Sequence, residues 1–222
     1  YLDPDIAVLD TLQPIADALD SHDVVITPHQ LTPDDHYPAI LDNELCSSQY
    51  GIYNLGFVAV ANRGDGIRFT DWWEKRLLGW CHDNVPGGVF VDQKWCDHVP
   101  GLFGSVLVLR DPGCNVASWN LSQRRISVDG QGRILSNGEP LRFYHFTKLG
   151  PIGDTMTQRY ARDNTEVYEL WTWYRHQVAG FLDKRIPKDW WAFGRYADGR
   201  VIAPEQRRLY RSRLDLKRVF FD

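Results

Sequence analysis

Along this chain, short runs of apolar residues alternate with stretches in which the apolar residues recur every three to four positions. Val24, Val25 and Ile26, in the run at 23–27, form a continuous β-branched segment, the pattern of a strand buried on both faces. Residues 52–61, 105–109 and 142–146 read as further strands. Residues 126–128 and 133–135 flank Asp129-Gly130-Gln131-Gly132, which signals a hairpin. Helical spacing appears at 14–19, with proline in the first turn, and over 67–82, where Phe69, Trp72, Trp73, Arg76, Leu77 and Trp80 recur. A helical turn is predicted at 40–46, a short helix opening with Asp92 at 90–99, and the longest helix at 154–182. Residues 28–38 read as a loop, 190–200 as turn-rich, and 204–221 as a basic, partly amphipathic end. Strands alternating with helices predict an α/β fold with a mixed sheet.

Composition narrows the classes. At 222 residues and 43% hydrophobic, the chain is long and apolar enough to bury a real core, which excludes disorder for its bulk. No apolar run approaches the eighteen residues or so of a membrane-spanning helix. The four cysteines, Cys46, Cys81, Cys96 and Cys114, show neither a CxxC pair nor zinc-like spacing, so reduced thiols in a cytoplasmic protein are expected. Nine tryptophans are many for this length, and indoles stack on the flat faces of sugars as well as packing cores. The net charge of −4 hides an asymmetry. Residues 1–62 carry ten acids and no Lys or Arg, whereas residues 183–222 carry eleven Lys or Arg against six acids. An acidic front suits a cation, and a basic end suits phosphate, polysaccharide or an anionic membrane surface; no nucleic-acid partner is expected. Position 1 is Tyr, and residues 1–6 read as the end of a strand running into a loop, so the chain is expected to be a piece of a larger protein.

Asp3-Pro4-Asp5 is the sharpest constellation. In an extended strand, residues i and i+2 point to one side, roughly 6–7 Å apart, and two carboxylates so placed hold a divalent cation or share it with a diphosphate. A solvated turn is the competing reading. His145 lies in an apolar strand just before a Gly-Pro turn, where a neutral imidazole completes a cation site or simply packs; Lys148, three residues on, suits a phosphate oxygen or solvent. In Tyr53-Asn54-Leu55-Gly56-Phe57, Asn54 and Gly56 offer an amide and bare backbone to a ligand, or a strand-start bulge. Asp92 and Gln93 suit sugar hydroxyls, and Asp92 equally suits a helix N-cap. The segment from Asn115 to Asn120 sets amides around Trp119, for sugar binding or for Asx turns.

Taken in order, these pieces resemble the nucleotide-sugar glycosyltransferases of the GT-A fold, especially the glycogenin-like and bacterial galactosyltransferase-like group. The matching pieces are Asp3-Pro4-Asp5 as the DxD motif, Asn54-Leu55-Gly56 as the N-x-G strand, Asp92-Gln93 as the DQ element, and residues 145–151 as the closing H-F-x-x-x-x-P strand. The resemblance spans roughly residues 1–155. It implies a GT-A-like mixed sheet flanked by helices over 1–155, with the nucleotide-binding half before the DxD absent. Residues 156–222 would form a helical C-terminal extension.

The resemblance also implies a metal-dependent transfer of sugar from a nucleotide-diphosphate donor, UDP-linked, to a glycan or lipopolysaccharide-type, lipid-linked acceptor. Asp3, Asp5 and His145 would bind Mn²⁺ or Mg²⁺. Lys148, Asn54, Gly56 and Asn120 would contact the donor, and Asp92 with Gln93 would lie beside the anomeric carbon. Transfer would proceed with retention, Asp92 gripping the donor sugar and Gln93 steadying positive charge at the anomeric centre. Apart from the resemblance, the basic C-terminus reads as a helix packed on the domain with a solvated basic face, or alternatively as one lying on the inner face of an anionic membrane. Two other classes stay open. A metal-dependent hydrolase or phosphoryl-transfer enzyme would want a second cluster, for which Asp34-Asp35-His36 is the candidate; a carbohydrate-binding module would use the tryptophans without turnover.

Overall fold

The β-branched run at 24–26 gives the fold its centre. In the structure, a computed structural model that describes residues 1–187 and 191–220, the strand Val24–Pro28 is buried at every position. It pairs antiparallel with Tyr53–Val60 on one side and parallel with Val106–Val108 on the other. The sheet is therefore mixed, and the fold is mixed α/β. Val24 and Ile26 face the helix Gly64–Trp80, meeting Leu55, Val58 and Phe69. Val25 faces the opposite way, into a cluster with Phe57, Phe143 and Ile15 of the helix Gln13–Ser21. Strand alternation thus sandwiches the sheet between two helical layers. Of the aromatics on Gly64–Trp80, Phe69 is fully buried, Trp72 and Trp73 are half-buried, and Trp80 is half-exposed.

A second small sheet carries Ile6–Val8, Phe143–His145 and Val116–Ala117, antiparallel and then parallel. Its strand Phe143–His145 also alternates: Phe143 joins the cluster around Val25, while Tyr144 enters one built with Ile126, Leu141, Val167 and Trp171. The hairpin Ile126–Val128 and Ile134–Ser136 forms as expected, and Glu139–Pro140 adds a third strand to it.

Four expectations change. Asp3-Pro4-Asp5 is not the end of a strand: Leu2 makes only an isolated bridge to Phe57, the motif turns, and the strand begins at Ile6. Residues 90–99 are not one helix, because Val91 sits at φ 39°, a left-handed conformation that no helix continues through. Val89–Phe90 is instead a strand, and a 3₁₀ turn starts only at Lys94. The long helix expected at 154–182 is two, Pro151–Ala161 and Thr165–Phe181, broken where Arg162 adopts φ 49°. Asn164 fixes that break by accepting from the Ile126 amide and donating to the Ile126 carbonyl, both at 2.7 Å. Finally, the compact unit that holds the motifs runs over Tyr1–Gln177, so Ala161, Val167, Leu170 and Trp171 belong to its core rather than to an extension beginning at 156.

The second unit, Val178–Asp222, contains the bridge Arg195↔Val201 and the helices Pro204–Ser212 and Leu214–Val219, separated by extended Arg213. Neither helix buries a residue. Trp190 and Phe221, at the ends of two expected segments, lie outside the described residues. Among the described residues, no helix is long and apolar enough to cross a membrane. Cys96 and Cys114 are buried thiols, and Cys46 and Cys81 are exposed.

Candidate functional site

The DxD turn lies where the two sheets meet. The Asp3 amide donates to the Gly56 carbonyl (2.8 Å), and the Phe146 amide donates to the Asp5 carbonyl (2.8 Å). Leu2 bridges Phe57 of the first sheet, and Ile6 pairs with His145 of the second. Backbone bonds on both sides hold the turn, so the main chain positions its carboxylates, and Asp3 Oδ2 and Asp5 Oδ1 are left facing His145. They converge on His145, at the C-terminal end of its strand. Nε2 of His145 is 3.1 Å from Asp5 Oδ1 and 3.9 Å from Asp3 Oδ2. One ligand atom from each residue falls within 4.8 Å of the others. The hydrogen bond to His145 holds the Asp5 carboxyl below its ordinary range, against the opposing effect of burial.

Gly56 is part of this geometry. A Cβ there would lie 2.4 Å from Cε1 and 2.6 Å from Nδ1 of His145, so the buried ring packs directly on bare backbone. Trp119 also packs against this ring in a T-shaped contact, with centroids 5.1 Å apart. Tyr1 donates its hydroxyl to Asp3 Oδ1 (2.7 Å), which, with partial burial, pushes its own pKa up to about 12.

Two carboxylates and an imidazole nitrogen converging at this range form an O,O,N donor set that fits Mn²⁺ or Mg²⁺. His145 Nδ1 is buried and has no hydrogen-bond partner, so no protein group locks the tautomer that frees Nε2.

Asp92 is half-buried, and burial raises its carboxyl pKa, with the Asp3 charge adding to the rise. It is not a helix cap, since no side chain caps the turn that opens at Lys94. Its carbonyl accepts from Trp73 Nε1 (3.1 Å), which anchors it directly after the strained Val91.

The amides differ. Gln93 Oε1 accepts from the Leu55 amide (3.2 Å) and from Asn54 Nδ2 (3.3 Å), and its Nε2 donates to the Tyr50 carbonyl (3.1 Å). Asn54 Oδ1 accepts from the Gly56 amide (3.1 Å) and from Asn115 Nδ2 (3.0 Å). Asn120 is fully buried, accepting from the Ala117 amide and donating to the Asn115 carbonyl. Gln93, Asn54 and Asn120 are thus bound into the protein rather than presented from it. Lys148 is exposed, at φ 55°, in the turn between His145 and the helix Pro151–Ala161.

His29 joins this set without having been singled out in the sequence. Its Nδ1–H donates to the Ile52 carbonyl (3.1 Å) and its Nε2 accepts from Asn54 (3.2 Å), while desolvation pushes its pKa down to about 4. It therefore stays neutral, edge-on to Trp119 at 5.4 Å. The readable signal was its place directly after the buried strand Val24–Pro28, a position at which side chains reach the end of a sheet.

Comparison with known proteins adds two relatives. The chain is 38% identical over 98 residues to the uncharacterized protein YfnF of Bacillus subtilis (strain 168), and 27% identical over 99 residues to the uncharacterized protein YfnD of the same strain. Each match covers 44% of the chain and 32% of the relative, so the chain spans about a third of the length of the curated relatives it matches. No protein-family model matches the chain, and no solved structure does.

Proposed function

We propose that the chain is the metal-binding and transfer portion of a glycosyltransferase that uses a nucleotide-diphosphate sugar, UDP-linked, as donor and a glycan or lipid-linked glycan as acceptor. The observation that carries this reading is the convergence of Asp3, Asp5 and His145 within 4.8 Å at the junction of the two sheets. Among the described residues it is the one group of three such side chains with converging ligand atoms. Asp34-Asp35-His36, the cluster a hydrolase would want, forms no such group; the Asp34 carboxylate accepts instead from Asn43 Nδ2 and Ser122 Oγ.

When bound by Asp3, Asp5 and His145, Mn²⁺ or Mg²⁺ supplies charge that stabilises a leaving diphosphate. The chain's own residues do the rest. Lys148 lies three residues past His145, directly before the N-terminus of Pro151–Ala161, where cation and helix end together favour phosphate. Asp92, half-buried and sensing the Asp3 charge, grips hydroxyls of the donor sugar. Gln93 and Asn54 support this arrangement by bracing the strand that carries Gly56. A carboxylate in a sugar-gripping rather than a base position favours a retaining reaction. A cytoplasmic site facing membrane-linked acceptors fits the same reading.

The test is release of UDP from a panel of UDP-sugars by the full chain with Mn²⁺, with and without EDTA, beside Asp3→Asn and Asp5→Asn. Metal-dependent release lost in both variants supports the reading. Release that ignores EDTA, or none with any donor, overturns it.

A further inference from the structure

A second feature of the first unit stands apart from the carboxylate turn. A cleft of about 680 Å³ opens between the loop at 32–36, the segment at 121–125 and the break between the helices Pro151–Ala161 and Thr165–Phe181. Its size is that of a small-molecule site. It shares no residue with the Asp3, Asp5, Asp92 and His145 group.

Arg124 lines this cleft while being 4% exposed. Its Nη1 donates to the Cys114 carbonyl (2.6 Å), and its Nε has no partner. Among the described residues, no carboxylate forms an ion pair with it. Burial pushes its pKa down to about 10, with only part of that offset by Asp111 and Cys114. A buried guanidinium without a counter-ion is costly to a fold, and removing one side of such a pair is known to be destabilising because the other charge is left uncompensated.

Arg162 lines the cleft too. It is exposed, its side chain has no ion pair among the described residues, and it holds φ 49°, an unfavourable conformation for a residue other than glycine. Three carboxylates share the lining, and one of them has an ion pair. Asp34 accepts from Asn43 and Ser122, and Asp163 pairs with Arg125 at 3.4 Å. Asp35 remains, beside His36. The amides of the wall serve the fold: Gln123 ties the loop at Leu31 and Thr32, and Asn137 holds Arg125 and Gln123. The cleft thus sets two guanidinium groups without an ion pair, one of them buried with an unpartnered Nε, into a polar, sugar-sized space beside the carboxylates of Asp34 and Asp35.

We propose that this cleft binds an acidic sugar residue through Arg124 and Arg162. Resting on the transferase reading, we assign that residue to the acceptor glycan. The wall at 121–125 follows directly on Trp119, whose indole packs against His145, so the cleft and the carboxylate turn are joined by one short segment. A planar guanidinium pairs in bidentate fashion with a carboxylate or a phosphate, so a uronic acid and a sugar phosphate share the chemistry.

The experiment titrates the full chain with glucuronate, glucose 6-phosphate and glucose, by calorimetry and ligand-observed NMR, in EDTA and without donor. At least one acidic sugar is expected to bind about tenfold or more tighter than glucose, the size of one charged hydrogen bond, and the stronger of the two identifies carboxylate or phosphate. Arg162→Ala, at an exposed position, is expected to remove that advantage; Arg124→Gln should do the same, and if it fails to fold the Arg162 variant decides alone. Equal binding of all three sugars, no binding of either acidic sugar, or unchanged affinity in Arg162→Ala overturns the proposal. Because neither metal nor donor is present, acidic-sugar binding without any UDP release would sink the transferase reading and leave the cleft, and UDP release without acidic-sugar binding would do the reverse.

Discussion

Asp3 and Asp5 are tied to the fold by their backbones, whereas Asn54, Gln93 and Asn120 are tied to it by their side chains. The carboxylates hang from a turn pinned by the Gly56 carbonyl and the Phe146 amide; Asp3 Oδ1 takes the Tyr1 hydroxyl, and Asp3 Oδ2 and Asp5 Oδ1 face His145. The amides bond strand starts and loop carbonyls to one another. Residues that stand side by side in a motif therefore divide into those that present chemistry and those that hold the presenters in place. Removing the first kind should cost function without stability, and removing the second kind should cost stability first.

The largest expected effect tests the presenters. Asp3→Asn and Asp5→Asn should each lower metal-dependent UDP release by about 1,000-fold, on the order of 4 kcal/mol of transition-state stabilisation. Unfolding free energies should move by less than about 1 kcal/mol, since the backbone anchors stay. A large loss of stability in both variants would show that the carboxylates are structural and erase the contrast.

Gly56→Ala comes next and strikes the support beneath the imidazole. The added methyl meets the ring at 2.4–2.6 Å, and His145 is buried and also packed against Trp119. Overpacking of this kind costs about 1–3 kcal/mol, and Mn²⁺ affinity should fall because the ring must shift. Unchanged stability together with unchanged metal affinity would mean the ring moves freely. Gln93→Ala is expected to leave the Leu55 amide and the Tyr50 carbonyl without their partner, a loss of about 1–3 kcal/mol in denaturant unfolding. UDP release per folded molecule should stay within a few-fold of the original. A far larger loss of rate at intact stability would move Gln93 to the presenting side.

Much of this was readable from residue order alone, and the exceptions have physical causes. The strands at 24–28, 53–60, 106–108 and 143–145 were legible because β-branched or alternating runs admit few other structures, and the helix Gly64–Trp80 because its apolar residues recur at helical spacing. The break at Arg162 was not, because no glycine or proline marks it; it depends on Asn164 reaching Ile126, a contact 38 positions away. The turn at Asp3-Pro4-Asp5 was mistaken for a strand end because its geometry is set by two sheets on either side of it. At the site, the convergence of Asp3, Asp5 and His145 was legible from residue type. The commitments of Gln93 and Asn120 were not, since an amide that binds a sugar and one that braces a loop look alike in sequence. His29 entered the site only through hydrogen bonds to Asn54 and Ile52.

The smallest expected effect concerns Asp92, which stands between the two kinds. Its carbonyl is anchored by Trp73, yet its carboxyl is half-buried with a pKa raised first by desolvation and then by the charge of Asp3. A raised carboxyl pKa means that the folded state binds the proton more tightly than the unfolded chain does. Ionised Asp92 therefore destabilises the fold, and the penalty appears as pH rises through the ordinary carboxylate value and is complete above the raised folded value. Below the ordinary value it is absent. Asp92→Asn should thus be more stable than the original chain at pH 7 in EDTA, by a margin that shrinks toward zero under acid conditions, while UDP release falls. Urea unfolding at pH 7 and near pH 3.5 measures the margin. A gain that is the same at both pH values would place its origin in packing rather than charge. A loss of stability at pH 7 would make Asp92 a brace like Gln93, and the donor-gripping role would pass to another residue.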